Sequence, residues 1–168
     1  MPYLIMATTA RILLEKGELL NRSSYNKNKY NKISYNEAHL LLMEQHHADN
    51  SLKEVYKSIK FNLGLPFINT DYRAFARWPS YFITSWKYFL PALLSKEYEK
   101  KVLEIHNFVI KEVLSLPNPN KITSIKIITA AKKDNKLNEI KKVVNLFQWL
   151  LPGLVTNVAF MREQIKFK

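Results

Sequence analysis

A single carboxylate, that of Asp71, falls where the sequence could place it beside a row of aromatic side chains. Asp71 lies in the first turn of a predicted short helix, and Phe75 and Trp78 follow it at spacings of four and seven residues. Residues at these spacings share one face of an α-helix. A carboxylate at the end of an aromatic surface could act as a general base that activates water beside a small apolar substrate group.

These residues also have a purely structural explanation. An aspartate in the first turn of a helix commonly complements the helix dipole, by roughly a few tenths of a kcal/mol, and has no other role. The spacing around Asp71 therefore leaves both explanations open, and the structural one is the more frequent. Arg73 and Arg77, four residues apart, could likewise attract anions or hold the turn at Trp78.

The histidines and cysteines offer little further chemistry. His46 and His47 are adjacent, so on a helix they point about 100° apart and cannot readily chelate one ion; we expect them to be solvated. His106 lies beside an apolar stripe, and we expect it to be partly buried and hydrogen-bonded. The sequence has no cysteine, which excludes disulfides, thiolate nucleophiles and thiolate metal sites.

The net charge of +12 would favour anionic partners, such as nucleic acid, acidic lipid or small carboxylates. The lysines are spread over most segments, as compositional bias would produce, so we do not expect nucleic acid as the partner. The apolar N-terminus has no preceding cationic stretch, and no uninterrupted apolar run approaches the ~20 residues that span a bilayer. We therefore expect a cytoplasmic protein without a membrane partner.

Helical periodicity runs through nearly the whole sequence and predicts an all-α fold, with about seven to eight helices in one domain over residues 1–168. The polar residues 21–33 have no apolar period and predict an exposed loop. We expect the three tryptophans to lie mainly in the core, with Trp78 also a pocket candidate because of its spacing from Asp71.

Local signals predict where the helices begin and end. We expect a first helix over residues 3–16, closed by Gly17. Capping boxes should begin two more, one from Ser34 toward Ala48 and one at Ser51. The remaining helix boundaries are expected at Gly64, at Trp78-Pro79, at Leu116-Pro117 and at Pro152-Gly153.

The run over residues 69–81 (NTDYRAFARWPSY), continued by Ser85-Trp86 and Leu90-Pro91, resembles the central signature of the group I 2-haloacid dehalogenases. That family is all-helical and non-stereospecific. The resemblance extends to residues 3–10 (YLIMATTA), 116–119 (LPNP) and 146–159 (LFQWLLPGLVTNVA). It covers nearly the whole chain and corresponds to the second of the family's two related helical repeats.

The resemblance implies a hydrolase that converts short 2-haloalkanoic acids to 2-hydroxy acids, with no metal and no other cofactor. In the family a carboxylate deprotonates water, which attacks the halogen-bearing carbon directly and inverts its configuration, and both enantiomers are accepted. Asp71 matches that carboxylate, and Thr70 matches a small hydroxyl residue beside the pocket. Phe147 is expected to line the pocket, together with Trp78.

The family's pocket lies between two repeats, whereas this chain matches only one of them. The resemblance therefore implies a homodimer that rebuilds the pocket, or a companion chain that supplies the first repeat. The alternative is a catalytically inactive helical domain that retains the dehalogenase fold for binding or assembly. The sequence leaves these possibilities open.

Overall fold

A computed structural model describes residues 2–19 and 41–166, and every regular element within these ranges is an α-helix. The prediction of an all-α fold is therefore confirmed. The described part of the chain contains seven helices: α1 (Pro2–Leu14), α2 (Asn50–Leu63), α3 (Thr70–Phe75), α4 (Pro79–Leu93), α5 (Lys96–Ser115), α6 (Ser124–Lys133) and α7 (Leu137–Lys166).

These helices belong to two compact units, with divisions between Tyr98 and Glu99 and between Thr156 and Asn157. The α1–α6 unit contains α1, α6 and the larger parts of α5 and α7. The α2–α4 unit contains α2, α3, α4, the first residues of α5 and the end of α7. The predicted loop over residues 21–33 and the predicted helix start at Ser34 lie outside the described residues. The assignment of the chain to one domain stays a prediction.

The core of the α1–α6 unit forms between α1 and α5. Leu4 of α1 and Val109 and Val113 of α5 are almost wholly buried and form one cluster. Partly buried side chains from α1, α5, α7 and the segment after α1 pack against it: Ile5, Ile12, Leu19, Ile105 and Leu151. The apolar periodicity of α1 and α5 thus translates directly into a shared buried face.

Gly17 has a different role from the predicted one. Helix α1 ends at Leu14, and the left-handed conformation belongs to Lys16, whose φ is 66°. Gly17 instead donates its N–H to the Ile12 carbonyl at 2.7 Å. A Cβ atom at Gly17 would lie 2.7 Å from Ile12 Cγ2 and 2.9 Å from Ile12 O. The glycine is therefore required for close approach to the end of α1.

The apolar faces of α2 and α4 form the core of the α2–α4 unit. Trp86, 3% exposed, is a core residue as expected, whereas Trp78 is 61% exposed and Trp149, in the other unit, is 47% exposed. The expectation of a core position is therefore wrong for these two tryptophans. The buried stripe residues are Leu52, Val55, Tyr56 and Ile59 on α2 and Phe82, Trp86, Phe89 and Leu93 on α4.

Two predicted helix starts differ from the observed ones. Helix α2 begins at Asn50, because Asp49 is its N-cap and accepts the Leu52 N–H at 2.8 Å. Ser51 therefore lies inside the helix and does not cap it. Residues 41–48 contain a turn, so no helix reaches Ala48. Gly64 ends α2 as predicted, with φ 62°, and donates to carbonyls of the preceding turn.

Helix α7 passes through Pro152 without interruption, so the predicted break at Pro152-Gly153 is wrong. An interior proline removes one backbone hydrogen bond and usually kinks or breaks a helix. Here Pro152 and Gly153 are both buried, and the neighbouring turns are anchored by packing. By length and composition alone α7 could cross a membrane, but the core helix of a soluble protein meets the same criteria.

Candidate functional site

The short helix α3 places Asp71 on its solvent-exposed side. Ile68, Tyr72 and Ala76, spaced by four residues, are buried within the α2–α4 unit. Thr70 and Asp71 are exposed at the start of the same helix. Among the residues that the structure describes, no cation forms an ion pair with the Asp71 carboxylate. The carboxylate is therefore accessible to a water molecule or a small ligand.

Tertiary contacts of the residues that follow Asp71 hold α3 in place. The Tyr72 hydroxyl accepts a hydrogen bond from Asn157 Nδ2 at 2.6 Å. The Arg73 carbonyl accepts from the Met43 N–H at 3.0 Å, and Arg73 Nη1 lies 2.5 Å from Glu44 Oε1. A helix of six residues is too short to be stable alone, so these contacts determine its position.

Trp78 is not on a helical face shared with Asp71. Helix α3 ends at Phe75, and Trp78 is the N-cap of α4, immediately before Pro79. A residue that precedes proline avoids the α conformation, which explains the interruption. Trp78 is exposed, and the Arg77 guanidinium lies 5.8 Å from its ring centroid. The face inferred from the spacing of seven residues therefore does not form.

Phe75 belongs to an aromatic group that α3 shares with α4. Its ring centroid lies 6.3 Å from that of Tyr81 and 6.4 Å from that of Phe82. Such offset and edge contacts typically stabilise aromatic pairs beyond simple area burial. These contacts fix the carboxyl end of α3 against α4.

Asn69 is a polar residue beside Asp71 that the sequence reasoning passed over. It is the N-cap of α3 but makes no side-chain capping bond, and it is 8% exposed. Its Oδ1 is buried and accepts no hydrogen bond from the described residues. Asparagine is a common N-cap, so its type suggested only a helix start. The missing cap bond, visible only in the structure, leaves an acceptor two residues from Asp71.

Burial changes the ionisation of three tyrosines in this unit. Burial raises the pKa of Tyr98 to about 12 and that of Tyr72 above its usual range, although the hydrogen bond with Asn157 opposes both changes. Burial likewise raises the pKa of Tyr56 to about 12; the Arg73 charge opposes the change and Glu44 adds to it. These phenols are therefore neutral at physiological pH.

The structure places the predicted site residues in two groups. Thr70 and Asp71 are neighbours at the start of α3, and Trp78 follows in the same α2–α4 unit. Phe147 is half-buried on α7 in the α1–α6 unit. The proposed contribution of Phe147 to a pocket with Asp71 stays a prediction.

The described histidines lie either at the surface or in a ring stack. His46 and His47 are exposed, as expected, and their ring centroids lie 4.0 Å apart. His106 is buried and stacks on Trp149, with ring centroids 4.0 Å apart and planes 6° from parallel. Within residues 2–19 and 41–166, no group of three or more His, Cys, Asp or Glu residues could hold a metal ion.

Comparison with known proteins identifies relatives by sequence. The chain is 36% identical over 124 residues to an (R)-2-haloacid dehalogenase of Pseudomonas putida, across 74% of this chain and 41% of that protein. It is 34% identical over 121 residues to an (R)-2-haloacid dehalogenase of Rhizobium sp. (strain NHG3), across 72% of this chain and 47% of that protein. The relatives are 2-haloacid dehalogenases. No family model matches the chain.

Solved structures give the same result over more of the chain. A D-2-haloacid dehalogenase in complex with L-LA has a TM-score of 0.82 and 31% identity, and covers 96% of this chain and 57% of its own. A mutant D-2-haloacid dehalogenase in complex with D-2-CPA has a TM-score of 0.81 and 30% identity, with 96% and 56% coverage. The chain thus spans about half the length of the dehalogenases that it matches.

Proposed function

We propose that this chain hydrolyses the carbon–halogen bond of short 2-haloalkanoic acids and releases 2-hydroxy acids. The observation that carries this proposal is the similarity to 2-haloacid dehalogenases, which extends over 96% of the chain in the structural comparison. The names of the relatives specify the R or D enantiomer, so we expect the R enantiomer to be a substrate. Turnover of the S enantiomer as well stays a prediction from the resemblance.

Asp71 is the proposed general base. Its carboxylate would take a proton from water while the water oxygen attacks the 2-carbon and the halide leaves with the bonding electron pair. The products are a 2-hydroxy acid and a halide ion, with the configuration at the 2-carbon inverted. The exposed position of Asp71, on a helix held by tertiary contacts, supports this role, since a general base must contact the water that it deprotonates. Neither metal nor cofactor enters the proposed reaction.

Three further residues are proposed to contact the substrate. Thr70 lies beside Asp71 and could donate its hydroxyl to the substrate carboxylate or to the water. Trp78 and Phe147 are the proposed apolar contacts for the alkyl group and the halogen.

The proposed active form contains a second chain. Asp71 is exposed in the chain by itself, whereas catalytic carboxylates work where bulk water is largely excluded. The similar dehalogenases are about twice as long, so a second copy or a companion chain would supply a length of polypeptide comparable to the part that this chain does not match. If a second copy completes the site, halide release per chain should rise with protein concentration and follow the dimer fraction measured by sedimentation.

The proposal is tested by halide release from (R)- and (S)-2-chloropropionate. The wild-type chain is compared with Asp71→Asn and with Asp134→Asn, which makes the same chemical change at an exposed aspartate in the α1–α6 unit. We expect Asp71→Asn to lose roughly 10²-fold or more of the rate, as removal of a general base typically does, and Asp134→Asn to retain it. Equal rates for all three proteins would remove Asp71 from the mechanism.

An isotope experiment distinguishes direct attack by water from a covalent ester on Asp71. A single turnover with excess protein in H₂¹⁸O should place ¹⁸O in the product hydroxyl if water attacks the substrate directly. An ester intermediate would deliver unlabelled oxygen from the aspartate in that first turnover. Stereochemistry does not separate these routes, because both invert the 2-carbon once.

The exposure of Asp71 also favours a second candidate function, a helical binding or assembly domain without catalysis. This candidate predicts a well-folded chain that releases no halide at any protein concentration. Circular dichroism and a cooperative unfolding transition would establish that the sample is folded before the absence of activity is interpreted.

A further inference from the structure

Three side chains from three helices form one chain of hydrogen bonds in the α2–α4 unit. The Tyr98 hydroxyl donates to Asn157 Oδ1 at 2.8 Å, and Asn157 Nδ2 donates to the Tyr72 hydroxyl at 2.6 Å. Tyr72 and Asn157 have no exposed surface. A buried side-chain amide is disfavoured unless its polar atoms are paired, and here each of the two atoms has a tyrosine partner.

The aromatic ring of Tyr72 is held as firmly as its hydroxyl. Its centroid lies 6.2 Å from the Trp86 ring, in an edge contact, and 6.3 Å from the Phe82 ring. Trp86 is itself anchored, because its Nε1–H donates to Ser58 Oγ at 3.0 Å. Ring packing and the hydrogen-bond chain therefore act together to hold the Tyr72 side chain in one orientation.

Tyr72 directly follows Asp71, so the backbone that orients one side chain also orients the other. Helix α3 has six residues and cannot fix this orientation by itself. A catalytic group displaced by about 1 Å can lose on the order of 10²-fold in rate. Any contact that fixes Tyr72 thus affects where the Asp71 carboxylate lies.

We propose that Asn157 and Tyr98 are positioning residues for Asp71: they hold the Tyr72 hydroxyl and thereby the orientation of α3. This inference rests on the proposed role of Asp71 as the general base. Tyr98 acts through Asn157, and Asn157 acts through Tyr72, so the three residues act in series. The network does not titrate near neutral pH, so it should affect geometry without adding a group to the pH profile.

The test uses Tyr→Phe changes, which keep each ring and remove one hydroxyl. The variants are Tyr98→Phe, Tyr72→Phe and the two combined. Tyr81→Phe is the matched control, because the Tyr81 hydroxyl also bonds α7, at the Met161 carbonyl and 3.1 Å away, but does not join the network. Each full-length protein is assayed for halide release and for hydrogen–deuterium exchange of peptides that cover residues 69–78.

We expect Tyr98→Phe and Tyr72→Phe to lower kcat by about tenfold, a part of the loss that a 1 Å displacement can produce, with KM changed less than about twofold. The α3 amides of Arg73 and Ala76, bonded to the Asn69 and Tyr72 carbonyls, should exchange faster, while α2 is unaffected. The combined variant should lose no more kcat than Tyr72→Phe alone, because the residues act in series. Tyr81→Phe should match the wild type.

The two readouts separate the possible failures. Unchanged α3 exchange in Tyr98→Phe overturns the positioning inference, whatever the activity. Faster α3 exchange with unchanged kcat overturns it too, because a looser helix would then not affect the reaction. Faster α3 exchange in a chain whose wild type releases no halide would leave the network holding α3 and would show that the proposed function has failed.

Discussion

Replacing Asn157 by leucine should destabilise the protein through two specific losses. Asn157 is wholly buried, and its amide bonds the hydroxyls of Tyr72 and Tyr98. Leucine has a similar volume but no polar atom, so Asn157→Leu removes the hydrogen bond to each hydroxyl. Tyr72 is wholly buried, and a buried polar group that loses its partner costs roughly 1–3 kcal/mol. The bond to the half-buried Tyr98 contributes roughly 0.5–1.5 kcal/mol, and the apolar burial of leucine offsets part of the total, so we expect about 1–3 kcal/mol.

This loss is large enough to measure without ambiguity. For a protein of 168 residues, 1 kcal/mol corresponds to roughly 2–4 °C in Tm, so Asn157→Leu should melt roughly 2–12 °C below the wild type. Urea unfolding followed by circular dichroism gives the free-energy difference. An unchanged m-value would show that the change acts on the folded state and not on the compactness of the unfolded chain.

A compensating variant makes the argument refutable. In the triple variant Tyr72→Phe/Asn157→Leu/Tyr98→Phe, all three polar groups of the network are replaced by apolar ones. Replacing every partner by an apolar group of the same shape is often nearly neutral. We therefore expect the triple variant to recover at least half of the lost stability. If Asn157→Leu unfolds within about 0.5 kcal/mol of the wild type, or if the triple variant is no more stable than the single one, the attribution to the lost hydrogen bonds of Asn157 is wrong.

Three further predictions concern stability elsewhere. Burial and the Arg11 charge lower the pKa of His106 below its ordinary 6.5. The stability contributed by the neutral imidazole should therefore be complete above about pH 6.5 and decline as the pH falls toward the lowered pKa. Urea midpoints across pH 5–7.5 should show this decline in the wild type and a smaller one in His106→Phe. Asp49→Ala should lose about 0.5–2 kcal/mol in urea unfolding, because the Leu52 N–H loses its cap, whereas Asp49→Asn should lose less. Gly64→Ala should lose about 1 kcal/mol for conformational reasons alone, since φ is 62° and an added Cβ contacts nothing within 4 Å; a loss below about 0.3 kcal/mol would contradict this.

Apolar spacing predicted the helices well, because it reports directly on which face is buried. The stripe of Leu52, Val55 and Ile59 on α2 lies in the core, as its period indicated. Prolines and capping residues predicted the helix ends less reliably, since neighbouring residues can serve equally well as the cap. Asp49, two residues before Ser51, caps α2. Pro152 does not end α7, and buried residues lie on both sides of it, Leu150 before and Asn157 after.

Long-range polar contacts explain why less of the site could be predicted. The Glu44–Arg73 pair spans 29 residues, and the bond between Tyr72 and Asn157 spans 85. No local pattern signals such a pair, because each partner alone is an ordinary helix residue. The sequence therefore indicated Asp71 by its motif, but gave no indication of the residues that hold its helix.

The exposure of Asp71 also depends on these long-range contacts, and it bears on function. Helix α3 buries Tyr72 and Ala76 by contacts within its own unit, and this leaves Asp71 on the opposite, open side. Tyr72, Asn157 and the Glu44–Arg73 ion pair thus orient a helix whose one carboxylate faces outward. This support supplies the fixed orientation that the proposed general base needs. The open side of Asp71 is where the proposed second chain would complete the site.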